Sequence, residues 1–170
     1  MANIYSIDAW ASGTSYTKNK IVFINNNYYY CLIAHISTTF ITDLAAGKFG
    51  GILNYNNESK PYFFWTPDYG YSFDIQPVVN TIQFGDGYAQ DLNTSINNIL
   101  LKGSLTFSNR DIDEYTAILH FLDARRGSEK FFFVPASPFS VTKKFICKNW
   151  KPSQQFYNSY TVQCEIEERS

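Results

Sequence analysis

The sequence predicts an α+β protein that is mainly β: a β-sandwich or barrel-like sheet with one packed helix, preceded by a small all-β unit. Three observations lead there. Aromatic residues make up 18% of the 170-residue chain, and aromatic side chains suit the pleated, half-buried surface of a sheet. Short apolar runs recur between clusters of Asn, Gly and Pro, the punctuation of strands and turns. Helical periodicity is sustained over a single stretch, Ile112 to Leu122. Strands, one helix, then strands again read as α+β.

The first unit spans residues 1–60. Ile21-Val22-Phe23-Ile24 and Tyr28-Tyr29-Tyr30-Cys31 are β-runs around Asn25-Asn26-Asn27, a hairpin in which Asn supplies left-handed turn positions. Trp10 and Tyr16 precede it, separated by the loop Ala11–Ser15. After the hairpin the chain reads as a loop from Ser37 through Asp43 and Gly47. Tyr28, Tyr29 and Tyr30 alternate sides in a strand, so one face is core and the other is either ordinary surface or a contact for a glycan or a neighbouring protein. His35, Ser37 and Asp43 carry the residue types of a triad. Their loop spacing does not build one, and His35 reads as bonding the loop backbone. Residues 51–61, rich in turn-formers, are the connector to a second unit, 61–170.

The second unit opens on the apolar run Tyr62–Trp65, stopped by Thr66–Tyr71, and a strand follows over Val78–Phe84. Phe84-Gly85-Asp86-Gly87-Tyr88-Ala89-Gln90 then reads as a tight hairpin turn. Gly85 and Gly87 tolerate positive φ, Asp86 can bond its own backbone, and Phe84 and Tyr88 clamp the arms. It lacks the Lys-Ser/Thr of a phosphate loop and the acidic spacing of a calcium loop. Ile99–Phe107 is a strand with Leu101, Gly103, Leu105 and Phe107 on one face. Ser108 or Asn109 caps a helix whose apolar face is Ile112, Tyr115, Leu119 and Leu122, flanked by Ile118 and stopped at Gly127. Lys130–Pro135, Phe145–Trp150 and Tyr160–Ile166 are the closing strands, the last two joined by a long loop, Lys151–Ser159.

Composition removes several function classes. Net charge is −1, so no electrostatic footprint for sequence-specific nucleic-acid binding is present. The apolar run around Phe131–Val134 is too short to insert in a membrane, and Met1–Tyr5 shows no secretory pattern. Cytoplasmic folding is expected, with Cys31, Cys147 and Cys164 as buried, reduced thiols, Cys147 and Cys164 on neighbouring strands. With two histidines and no Cys-His spacing, no metal or cofactor site is expected. The carboxylates are scattered or sit at the helix start, so no catalytic residue is assigned. Only 17% of residues are charged, against about 25% in ordinary soluble domains. A surface of Asn, Ser, Thr and Tyr suits a protein packed in an assembly or touching glycans.

Two resemblances add to this reading. From about Phe64 onward, Phe84-Gly85-Asp86-Gly87-Tyr88-x-Gln90, the helix ending Phe121–Gly127, Phe131–Pro135 and Cys147…Trp150 fall in the order of the minor tail protein M family of long-tailed phages, the lambda type. That resemblance implies a tail-tube or distal-tail-like fold and a structural, non-enzymatic role at the virion tail tip. It implies a homo-oligomeric ring, of six copies in the family, joining the tail tube protein to the hub or baseplate proteins, with DNA passing through the lumen. Phe84, Gly85, Asp86, Gly87, Tyr88 and Gln90 would be its assembly motif. The lambda-type protein has nothing like residues 1–60. There, Trp10…Tyr16…Val22…Tyr29 resembles small chitin-binding-type carbohydrate-binding modules, which implies a host-surface glycan as a partner. The sequence departs from that pattern at Asn26, where the module has Gly, and at Ile33-Ala34, where it has an exposed Trp pair. The competing reading is a free glycan-binding protein outside any virion.

Overall fold

The structure is a computed structural model that describes residues 7–51, 61–77, 79–92 and 99–169. The front unit is built from β1 (Asp8–Ala9), β2 (Ser15–Tyr16), β3 (Ile21–Ile24), β4 (Asn27–Cys31), β5 (His35–Ile36), α1 (Phe40–Ala45) and β6 (Phe49–Gly51). β1-β3-β4-β6 form a sheet, with β1 parallel to β3 and the other pairs antiparallel, while β2 and β5 pair separately. The expected hairpin is present. Asn25 and Asn26 hold φ of 50° and 60°, the double left-handed turn that matches strand twist, and Asn27 already belongs to β4. A small core of Tyr16, Val22, Cys31 and Phe49 lies on one face, with Trp10, Tyr29 and Phe40 packed against it.

The second unit contains β7 (Ser72–Pro77), β8 (Asn80–Gln83), β9 (Ala89–Leu92), β10 (Ile99–Arg110), α2 (Ile112–Arg125), β11 (Phe131–Phe133), β12 (Lys143–Phe156) and β13 (Ser159–Glu168). Five strands make one antiparallel sheet in the order β11-β12-β13-β10-β7, and β8 and β9 form a hairpin apart from it. The sheet curls. Phe73 on β7 and Phe145 on β12 are three strands apart, yet their rings lie 6.2 Å from each other, where a flat sheet would separate them by roughly 14 Å. Gly103, opposite Phe73 across the ladder, permits this: a Cβ there would lie 2.5 Å from the Phe73 ring. Phe63 is the hub of the enclosed core, with the rings of Trp65, Phe107, Phe121, Phe131 and Phe133 all within 6 Å.

Helix α2 lies between the two units. It packs on β12 and β13 on one side and on β3 on the other. Ala117, Ile118, Leu119, Phe121 and Leu122 are all buried, as expected of a helix covered on more than one face. Across this seam Tyr30 is 2% exposed, donates its hydroxyl to the Ala117 carbonyl at 3.2 Å and meets the Trp65 ring at 5.3 Å. Tyr28 lies 4.6 Å from the His120 ring. Ile21 also joins the large core. At the rim, the Thr17 hydroxyl donates to Asp113 at 2.6 Å and Lys20 is 3.6 Å from the same carboxylate.

Several sequence expectations are corrected. The loop after Ser37 contains α1, capped by Thr39, whose hydroxyl accepts from the Thr42 amide; six residues are too few to show a period. The cap of α2 is Asp111, which accepts from the Glu114 amide at 2.8 Å, because β10 continues through Ser108 and Asn109 to Arg110. Ile112 is exposed, and Phe121 takes its place in the core. Tyr62–Trp65 is an extended run with a single bridge, Tyr62 to Phe132, and the strand beside β10 is Ser72–Pro77. Lys151–Ser159 is no long loop. β12 and β13 run on as an antiparallel ladder to a tight turn at Tyr157-Asn158, with Pro152 inside it opposite Val162. Residues 151–158 are all exposed, so no apolar alternation marked them as strand. Of the connector 51–61, Gly51 belongs to β6, and residues 52–60, with the boundary placed among them, lie outside the described residues, as do the Asn-rich residues 93–98.

Candidate functional site

The Gly-Asp-Gly motif is the tip of the β8–β9 hairpin. Asp86 and Gly87 hold the left-handed conformations, φ 67° and 77°; Gly85 does not. The Phe84 amide donates to the Tyr88 carbonyl at 2.8 Å, and the two rings face each other at 5.9 Å. The expected clamp is therefore formed. Every residue from Asn80 to Asp91 is exposed, Gln90 included, and Phe84 and Tyr88 are 50% and 66% exposed. Charged side chains do not explain that exposure, since Asp86 and Asp91 are the only ones in the segment. The β12–β13 hairpin presents a second aromatic tip, with Phe156 and Tyr157 largely in solvent.

The three tyrosines of β4 are placed differently from expectation. Both faces of this strand are covered. Tyr28 and Tyr30 face α2, and Tyr29 packs on Phe40 at 4.8 Å. Burial holds the Tyr30 phenol well above its ordinary range. Ile33 and Ala34, at the place where the module pattern has its Trp pair, are exposed but aliphatic. A sugar ring stacks on a flat aromatic face, and these two side chains offer none.

His35, Ser37 and Asp43 do come near one another, as a structural clamp. His35 Nδ1 donates to the Ile33 carbonyl at 2.7 Å, and Nε2 is 3.7 Å from Asp43. Ser37 donates to the Ala11 carbonyl at 2.7 Å rather than toward His35. Asp43 is fully buried and accepts from Lys48 and from the Thr38 amide and hydroxyl. The Lys48 hydrogen bond, followed by that amide, lowers its carboxyl to about 2. A carboxylate so occupied fastens the β5–α1–β6 segment.

The thiols are buried and free. Cys147 donates to the Asn149 carbonyl at 3.3 Å, and the interaction between the two neighbouring thiols raises Cys164, with burial adding to it, and lowers Cys147. Among the described residues no group of three or more His, Cys, Asp or Glu could hold a metal. His120, pressed between the units, is lowered to about 4 by burial, with Asp123 opposing.

Two recesses were not foreseen. One, along the seam, is lined by Asp8, Thr14, Tyr16, Thr17, Lys20 and Asp113 among others. Its ion pairs are self-satisfied, and its single ring, Tyr16, is buried. The other is an aromatic groove of about 660 Å³ between the Tyr62–Pro67 run, Tyr71 and the Phe133–Ala136 stretch. Phe64 stacks on Trp65 there at 4.2 Å. Its residues come from three separated segments, and only the aromatic density of Tyr62–Trp65 hinted at it.

Comparison with known proteins places these features. Residues 9–40 match the carbohydrate-binding module family 5/12. No curated protein matches the chain. The tail of an empty GTA particle, solved with C6 symmetry, aligns with 75% of this chain and 86% of its own at 14% identity, with a TM-score of 0.38. Residues 61–169, well over half of the chain and including the curled sheet, α2 and the Gly-Asp-Gly hairpin, match the phage minor tail protein model, and the chain belongs to that family, as a structural component of a phage tail.

Proposed function

We propose that copies of this chain form a ring at the tail tip, of six copies by family expectation, joining the tail tube to the hub or baseplate. Residues 61–170 make the ring and residues 1–60 stand on it as a peripheral unit. The observation that carries this reading is the β8–β9 hairpin: an exposed arm with two half-exposed rings at its tip, in a chain of a tail-building family. Apolar patches of this kind mark interaction surfaces. Phe84–Gln90 and the Lys151–Ser159 hairpin are the contacts between subunits or between rings. The test is light scattering and negative-stain microscopy at rising concentration, with and without tails. Uniform rings, or density between tube and tip, support it; a strict monomer that joins no tail defeats it.

The family 5/12 match over residues 9–40 favours a second reading for the front unit, contact with a host-surface glycan. Its aliphatic Ile33-Ala34 surface favours a neighbouring tail protein instead. A chito-oligosaccharide titration of the full chain followed by tryptophan fluorescence separates them, since saturable quenching would return the glycan to first place. A monomer that binds sugar and never joins a tail would make the chain a free glycan-binding protein.

A further inference from the structure

Cys147 and Cys164 both belong to the large core, whereas Cys31 lies in the small core of the front unit. In the β12–β13 ladder Cys147 stands opposite Ile166 and Cys164 opposite Trp150. The two cysteines are therefore diagonal neighbours on the inner face, 1% and 2% exposed. In a regular ladder such neighbours stand about 7–8 Å apart, just beyond the usual span of a disulfide, roughly 4.4–6.8 Å between Cα atoms. The ladder is not regular here. A bulge leaves Lys148 unpaired between Cys147 and Asn149, and a bulge bends its strand and increases the local twist. Across this bend the thiols interact: Cys164 lowers Cys147, and Cys147 raises Cys164. Since the thiolate is the reactive form, Cys147 is the nucleophile of the pair. Cys31 is held at about 11 by burial. Beyond the pair the ladder has little cover. Residues 151–158 are all exposed, and Phe156 and Tyr157 at the tip are 75% and 97% exposed.

We propose that Cys147 and Cys164 form an oxidation site that closes to a disulfide and ties β12 to β13 at the base of this exposed arm. The oxidant is a small peroxide, which local opening of the sheet admits to the buried thiols. The Cys147 thiolate attacks one peroxide oxygen. An S–O bond forms, the O–O bond breaks, and the departing hydroxide takes a proton to become water. Cys147 is then a sulfenic acid. The Cys164 sulfur attacks the Cys147 sulfur, the S–S bond forms and the S–O bond breaks. The second hydroxide leaves as water with the Cys164 proton. Two thiols have lost two electrons, and one hydrogen peroxide has become two waters. The new bond encloses residues 148–163, so the two strands of the arm no longer part from each other. Restricting the unfolded chain in this way stabilises the fold. The inference goes beyond the ring reading and does not depend on it.

The test uses the full chain, purified with its thiols reduced and then exposed to hydrogen peroxide. Remaining thiols are alkylated with N-ethylmaleimide in denaturant, and the intact mass is measured. The expected product is a single chain that has lost two hydrogens and carries one alkyl group, at Cys31, where the untreated chain carries three. Peptide mapping without reductant should join the Cys147 peptide to the Cys164 peptide, and the Cys31→Ala variant should form the same link. The urea midpoint should rise on oxidation and return on adding dithiothreitol. Three alkyl groups after peroxide, a sulfinic acid at Cys147 with no link, or a link that joins two chains or includes Cys31 would overturn the inference. A Cys147–Cys164 link that leaves the urea midpoint in place would overturn it as well, because the arm would not be tied.

Discussion

The hairpin Ile21–Cys31 and the hairpin Asn80–Leu92 are built alike: short antiparallel arms, a turn with left-handed Asn or Asp, and aromatic residues near the bend. Their surroundings are opposite. The first is covered on both faces, by the small core and by α2, and Tyr30 reaches the helix backbone. The second touches little beyond itself. Aromatic content alone thus says nothing about which hairpin meets a partner. What differs is whether the chain supplies a helix to cover it.

The comparison is most easily broken at Tyr30. Tyr30→Ala should cost about 3–5 kcal/mol, as for other large buried aromatics, and Tyr30→Phe about 1 kcal/mol for the lost hydrogen bond. Urea unfolding measures both. If Tyr30→Ala leaves the midpoint in place, the front hairpin is not anchored to α2. His120 sharpens the same point through pH. Its folded value is about 4 and its unfolded value about 6.5, so between these the unfolded chain binds more protons. Stability contributed by the neutral imidazole is full above about pH 6.5 and is lost as pH falls toward 4. The loss is about 2–3 kcal/mol once partial solvent screening is allowed for. His120→Gln should flatten that window, and a variant as acid-sensitive as wild type would contradict the assignment.

Gly103→Ala tests the curl of the main sheet. The new methyl meets the Phe73 ring, an overpacking that should cost about 1–3 kcal/mol, and adding Phe73→Ala should relieve the clash. The smallest stability effect is expected at the exposed hairpin. Phe84→Ala/Tyr88→Ala should change the unfolding free energy by no more than about 0.5 kcal/mol while weakening assembly. A large loss of stability there would mean that the hairpin is part of the fold.

How much of this was legible follows from which faces are covered. The Asn turn of the front hairpin and the bodies of β10, α2 and β13 were readable because each carries a turn signal or a sustained apolar period, whereas the boundary between β10 and α2 was not, since β10 runs on through Ser108 and Asn109. β7 and the outer half of β12 were not, since most of their described side chains are in solvent and no alternation survives. α1 is shorter than two turns. The second covered face of Tyr28–Tyr30 was invisible because α2 lies about ninety residues away in sequence. The Gly-Asp-Gly tip was found from its local chemistry, whereas the groove, gathered from distant segments, has no local signature.

The position of α2 has a mechanical consequence. A pull applied to residues 7–51 does not act on the chain connection alone. It is carried by Tyr28, Tyr30 and Ile21 into the helix, and from the helix into β12 and β13. The strain is spread over the ring contacts of Tyr28 and Tyr30 and the Tyr30 hydrogen bond to the helix. Whatever the front unit grips, the load reaches the five-stranded sheet through the helix as well as through the chain connection.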